Sequence, residues 1–190
     1  MSGELVAWTC ALSFLAYAFV AERLRARVRR GRTTIRRGNA LAQYVPLFIW
    51  VPYVVIALRP GPELAFPEAV RWVGLALVVA GIGFSMWAAR TLGRHFDMEV
   101  EVHEGHEVVD RGPFAIVRHP VYLGLAIHLL GACLATGNDL LSVGTLFGAI
   151  PALFIRASAE EGLLRETLGP AYDAYAQHVP MLIPPFGKGA

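Results

Sequence analysis

The sequence predicts an all-α fold, an integral membrane bundle of five transmembrane helices. Three observations predict it. Of the 190 residues, 55% are hydrophobic and only 17% are charged, and the mean hydropathy is positive, which is more apolar than an ordinary soluble domain. Five apolar runs, about 4–21, 40–58, 70–90, 120–136 and 140–156, have lengths near what a hydrocarbon core of about 30 Å requires. The charged segments between them fall on one side of a membrane when the runs are threaded alternately. A single domain over 1–190 follows, with a polar C-terminal segment at 157–190.

The first run, Leu5 to Val20, is closed by Glu22 and Arg23. Positive charge follows it rather than precedes it, and no small-residue cleavage site comes next, so it reads as a retained helix and not a leader. Arg23 to Arg37 then holds eight arginines and no acidic residue. Such a loop stays on the cytoplasmic side and favours anionic lipid head groups. With a net charge of +2 and this run set between membrane helices, nucleic acid is not an expected partner.

Pro46 and Pro52 interrupt the second run, which membrane helices tolerate. Arg59 to Pro67 is a turn-rich loop. The third run carries Gly74, Gly81, Gly83 and Ser85, small residues that allow close helix approach. Thr91 to His119 is the longest polar stretch, with strand-like alternation over Met98 to Val102. Gly137-Asn138-Asp139 is a tight turn between the fourth and fifth runs, and Pro151 is an expected kink in the fifth. Arg156 to Leu168 is polar and helical in pattern. Gly169-Pro170 breaks it, and Ala171 to His178 forms a short helix with Tyr172 and Tyr175 on one face. Cys10 and Cys133 lie in apolar runs without a CxxC pattern, so no disulfide is expected. No two histidines stand four apart, and no metal is expected.

The arginine-rich loop places the N-terminus outside and the 91–119 loop and the C-terminal tail in the cytoplasm. Two polar clusters then meet. The fourth and fifth helices form a hairpin, so the start of one lies beside the end of the other. Arg118 and His119, ahead of Pro120, are thereby neighbours of Arg156, Glu160 and Glu161. Arg156 and Glu160 are four apart and share a helix face, which by itself could be a surface ion pair.

The stretch Gly112-Pro113-Phe114 to Arg118-His119-Pro120-Val121-Tyr122-Leu123-Gly124 resembles the isoprenylcysteine carboxyl methyltransferase superfamily of membrane enzymes, which is related to the phospholipid methyltransferases. Gly105-His106-Glu107-Val108-Val109 upstream is similar too, as are Arg156, Glu160-Glu161, Leu164, Gly169, Tyr172, Tyr175, Val179 and Pro184 downstream. The resemblance covers about 91–186. It implies S-adenosylmethionine as methyl donor, held in a cytoplasm-facing pocket built from the 91–119 loop and the C-terminal helices. His106, Val108, Arg118, His119, Tyr122, Glu160 and Glu161 would line it, and Arg156 and Glu160 would lie at the reacting groups. Phe114 departs from the pattern, since a tyrosine is usual there.

The resemblance implies methylation of a lipophilic substrate entering from the bilayer, with carboxyl O-methylation of an isoprenylcysteine-like acid as the leading expectation. A phospholipid-amine N-methyltransferase, a small-thiol S-methyltransferase, and a non-enzymatic membrane protein of nitrogen-oxide or haem metabolism are the alternatives. A sterol-reductase-type enzyme fits less well, because such proteins are much longer and no cysteine occurs after Cys133.

Overall fold

The computed structural model of the chain describes residues 3–29, 34–37, 53, 64–93, 101–103 and 108–183. The elements are α1 (Gly3–Arg29), β1 (Thr34–Arg37), α2 (Glu68–Leu92), β2 (Glu101–His103), a 3₁₀ turn (Gly112–Ala115), α3 (Pro120–Thr136), α4 (Asp139–Leu168) and α5 (Pro170–His178). Among the described residues two helices, α2 with 25 residues and α4 with 30, are long and apolar enough to cross a membrane, and α3 is a shorter apolar helix. Of the expected helix at 40–58 only Tyr53 is described, and His106 also lies outside the described residues.

Three expectations change. The fold is mostly helical but not all-α: β1 and β2 pair antiparallel, with Thr34 opposite His103 and Arg37 opposite Glu101. The alternation near Val102 is the trace of this in the sequence. Second, the first helix does not stop near Val20 but runs through Arg29, because the alternating arginines, leucine and alanine that follow are good helix formers. Third, the polar stretch from Arg156 is the last part of the same helix that begins at Asp139. The irregularity expected at Pro151 is a π-helical turn over Thr145–Ala149 just ahead of it. Pro151 has no N–H to give to the preceding turn, and the wider turn absorbs that loss.

The interface between α2 and α3 is the most extensive among the described elements. It is built from small residues. A Cβ on Gly81 would lie 2.5 Å from the Gly124 carbonyl and from the His128 nitrogen, and one on Gly131 would lie 2.7 Å from the Gly74 carbonyl. The two backbones are in near contact, as glycine alone permits. Ser85 is buried there and donates to the Val121 carbonyl at 2.9 Å. Gly83 is different: it is exposed, with nothing near its missing Cβ, so of the expected small-residue set it alone faces away. At the far end Arg71 Nε donates to Ala135 O at 3.0 Å, a cation on the carbonyls that end α3.

The core lies where α1, α2, α3 and α4 converge on Phe14, Val78, Leu125, Leu129 and Leu153. Within it His128 contacts the Tyr53 hydroxyl through Nε2 at 2.8 Å and the Val78 carbonyl through Nδ1 at 3.2 Å. Both nitrogens are satisfied by the fold. Cys10 and Cys133 are buried free thiols. Gly137 closes α3 at φ 68°, and Asn138 caps α4 by accepting from Leu141 N at 2.9 Å. That two-residue corner makes the α3–α4 hairpin and brings Pro120 near the polar end of α4.

Gly81→Ala is expected to destabilise the protein by about 1–3 kcal/mol through overpacking, read as a lowered midpoint of thermal unfolding in detergent. Gly83→Ala should be neutral or slightly stabilising. Equal effects of the two would contradict the packing described.

Candidate functional site

The site forms where the chain enters α3, where α4 becomes polar, and where α5 folds back. Pro120 occupies the first turn of α3, and Arg118 and His119 immediately precede it. Their backbone nitrogens donate to Pro180 O at 2.9 Å and Met181 O at 3.0 Å. The segment after α5 therefore lies over the entrance to α3 like a strap. Tyr175 adds a third tie, its hydroxyl donating to Phe114 O at 2.7 Å. Phe114 itself is buried. A tyrosine hydroxyl at that position would need a partner there, and phenylalanine removes the need.

Glu161 is the centre of the cluster. Its Oε1 takes Arg118 Nε at 2.7 Å, His119 Nε2 at 3.1 Å and the Tyr172 hydroxyl at 2.8 Å. Its Oε2 takes Arg118 Nη2 at 3.0 Å and Arg165 Nη2 at 3.3 Å. The Arg118 pair is bidentate, the strongest form of such a contact. The remaining Arg118 nitrogen, Nη1, donates to the carbonyls of Ala176 and Val179, which end α5. Arg118 thus joins α3, α4 and α5 at once.

Glu160, next in the chain, has a different environment. Its side chain is 25% exposed against 10% for Glu161, and it meets His119 Nδ1 at 3.5 Å. His119 therefore faces a carboxylate through each ring nitrogen. Burial favours the neutral imidazole, but contacts with Glu160 and Glu161 outweigh it and hold the His119 pKa above its ordinary value. The Tyr122 ring stacks on the imidazole, with centroids 5.6 Å apart and planes within 9°. Tyr122 in turn accepts a hydrogen bond from Arg156 Nε at 2.9 Å. Arg156 is 4% exposed, so it is buried in the bundle and is not half of a surface pair with Glu160.

Of the residues the sequence singles out, Arg118, His119, Tyr122, Arg156, Glu160 and Glu161 form one connected group. Val108 is half-buried ahead of the motif, and the structure describes no polar contact for it. Tyr172 and Arg165 belong to the cluster and were not singled out as site residues. The sequence signals for Tyr172 are its place in the downstream family pattern and its shared face with Tyr175, seen here as an edge contact at 5.8 Å. The exposed Arg165–Asp173 pair at 2.7 Å closes the outer side.

The sequence pattern of the isoprenylcysteine carboxyl methyltransferase family matches residues 72–166. A probable protein-S-isoprenylcysteine O-methyltransferase of Oryza sativa subsp. indica is 32% identical over 120 residues, which is 62% of this chain and 63% of the rice protein. The match thus spans less than two thirds of that relative's length. Protein-S-isoprenylcysteine O-methyltransferase B of Arabidopsis thaliana is 30% identical over 154 residues, 79% of this chain and 75% of that protein. Among solved structures, that of a eukaryotic intramembrane Ras methyltransferase, isoprenylcysteine carboxyl methyltransferase, superposes with a TM-score of 0.62 at 20% identity, covering 94% of this chain and 68% of that one. The fold is therefore shared with an intramembrane protein.

Glu161→Gln is expected to destabilise the protein by about 3 kcal/mol, since it leaves the largely buried Arg118 guanidinium without its counter-charge. Asp173→Asn, at an exposed pair, should cost less than about 1 kcal/mol; denaturation in detergent compares the two. The His119 ion contacts stabilise the folded state fully below the unfolded imidazole pKa of about 6.5 and are lost as pH rises through the higher folded value. The unfolding midpoint should fall over that rise, and His119→Gln should flatten the dependence.

Proposed function

The chain belongs to the isoprenylcysteine carboxyl methyltransferase family, and on that premise we propose that it is a membrane methyltransferase that uses S-adenosylmethionine to methylate the carboxylate of a lipophilic, isoprenylcysteine-like acid. The observation that carries the choice of acceptor is the state of His119. Both of its nitrogens face carboxylates, so it holds its protons and has no lone pair to offer. An amine or thiol acceptor would have to lose a proton to a base. A carboxylate is ionised already at neutral pH and needs only alignment and dry surroundings. The corner suits the acceptor that asks for no base.

The residues fit the methyl donor. When bound, S-adenosylmethionine supplies an electrophilic methyl group on a sulfonium centre. Glu160 is the carboxylate for its ammonium, because Glu161 already takes five contacts from four side chains. Arg118 and Glu161 act as positioning residues that hold His119, Tyr122 and α5 in place. The aromatic faces of His119 and Tyr122 offer a stacking surface, and the His106 and Val108 assignments carry over from the family resemblance. Arg156 presents positive charge to the acceptor carboxylate. The acceptor enters from the bilayer and the donor from the cytoplasm, with the N-terminus outside and the whole of 1–190 acting as one domain.

Calorimetry of the detergent-solubilised protein with S-adenosylhomocysteine should show binding, and labelled methyl should pass to a prenylcysteine. Glu160→Gln should weaken S-adenosylhomocysteine binding roughly tenfold or more. A complete lack of binding by the wild-type protein would sink the methyltransferase reading and favour the non-enzymatic alternative. Labelled methyl passing to phospholipid amines or to thiols, but not to the prenylcysteine, would refute the acceptor.

A further inference from the structure

The tyrosines of α5, Tyr172 and Tyr175, stand three apart on one helix face and meet edge to face. Their hydroxyls do different things. Tyr175 donates to a main-chain carbonyl, Phe114 O, at 2.7 Å, and so fastens α5 to the 3₁₀ turn. Tyr172 donates to a side chain, Glu161 Oε1, at 2.8 Å. The Tyr172 ring is buried, and phenylalanine would fill the same place. The hydroxyl is what a tyrosine adds there.

Glu161 Oε1 is a crowded atom. It takes Arg118 Nε at 2.7 Å, the Tyr172 hydroxyl at 2.8 Å and His119 Nε2 at 3.1 Å. A carboxylate oxygen offers about two lone-pair sites, so three donors draw on what suits two, and each weakens the others. His119 has the longest of the three contacts. Arg118 holds both oxygens and keeps its charge. Among the described residues Tyr172 is the one donor on this carboxylate that is neutral, so removing its hydroxyl takes no charge out of the cluster. It changes only how much of Oε1 is left for His119. His119 can respond to that change. Its Nε2 faces Glu161 and its Nδ1 lies 3.5 Å from Glu160. Tyr122 stacks on its face, with Arg156 on the Tyr122 hydroxyl, and Arg118 precedes it in the chain. The two carboxylates already hold its pKa above the ordinary value.

We propose that Tyr172 is a positioning residue that acts through Glu161: by occupying part of Oε1 it limits the hold of Glu161 on His119 and leaves the imidazole shared with Glu160. Its bearing on methyl transfer rests on the methyltransferase reading above, in which His119, Tyr122 and Glu160 are the groups offered to the methyl donor. Without the hydroxyl, the freed share of Oε1 goes to His119. The charged imidazole is then favoured more strongly, and the ring is drawn toward Glu161. A cation so held also competes with the donor's ammonium for Glu160, so the affinity for S-adenosylhomocysteine rises as His119 loses its proton.

The test follows the His119 ring by NMR in the full-length, histidine-labelled protein in detergent, with no ligand added. Its resonance is identified among the six histidines by its loss in His119→Gln. Tyr172→Phe should raise the His119 pKa by about half a unit to one unit. Tyr175→Phe should leave it unchanged, because that hydroxyl is engaged by Phe114 O. Replacing Tyr172 with a ring-fluorinated tyrosine, a stronger donor, should lower it. A purely structural Tyr172 has the opposite signature: loosening of α5 in Tyr172→Phe would release Glu161 from His119, and the pKa would fall. An unchanged or lowered pKa in Tyr172→Phe, or an equal rise in Tyr175→Phe, would overturn the proposal. In calorimetry with S-adenosylhomocysteine, the pH at which binding tightens should move up with the His119 pKa in Tyr172→Phe; a profile that stays in place would overturn the role of Tyr172 in the site. Failure of the wild type to bind S-adenosylhomocysteine at any pH would remove the methyltransferase reading, while the hold of Tyr172 on His119 stands or falls by the titration.

Discussion

The ion pair between Arg118 and Glu161 is the contact on which the polar end of the molecule depends. Three segments reach that place by different routes: the entrance of α3, the last turns of α4, and the strap after α5. Arg118 joins them by placing Nε and Nη2 on Glu161 and Nη1 on the carbonyls that end α5. Glu161 completes the junction by collecting His119, Tyr172 and Arg165. A carboxylate so fully engaged is costly to bury singly, and its removal would leave several donors without acceptors.

The same saturation sorts the two adjacent glutamates. Consecutive residues on a helix point about 100° apart, so Glu161 turns into the junction and Glu160 turns toward the open side. His119, held between them, has its pKa raised by both carboxylates and stacks on Tyr122. On the proposed function, displacement on an acceptor that arrives already charged suits such a corner.

The glycine packing between α2 and α3 is what lets this corner be small. Close backbone approach at Gly81, Gly124 and Gly131 fixes the position of α3, and the Gly137-Asn138 corner passes that position on to α4. The small-residue pattern was legible in the sequence at Gly74, Gly81 and Ser85, because small residues in an apolar helix have few other uses. Gly83 shared the pattern but not the face. The meeting of Arg118 and His119 with Arg156, Glu160 and Glu161 was legible too, since a short turn forces the two ends of a helical hairpin together. The β1–β2 pairing was not legible, because it joins segments more than sixty residues apart through a few backbone groups, and only weak local alternation records it.

The sequence by itself determined a mostly helical, apolar protein, the hairpin that joins the two polar clusters, and the family to which they belong. These rest on composition, periodicity and turn chemistry, which are local. The tertiary structure alone decided which glutamate is spent on the fold, that Arg156 turns to Tyr122 and away from the surface, and that Tyr172 is buried against Glu161. Each of those depends on where a side chain points relative to a distant segment. A helical period of 3.6 residues gives the face a residue occupies, but not what stands opposite it.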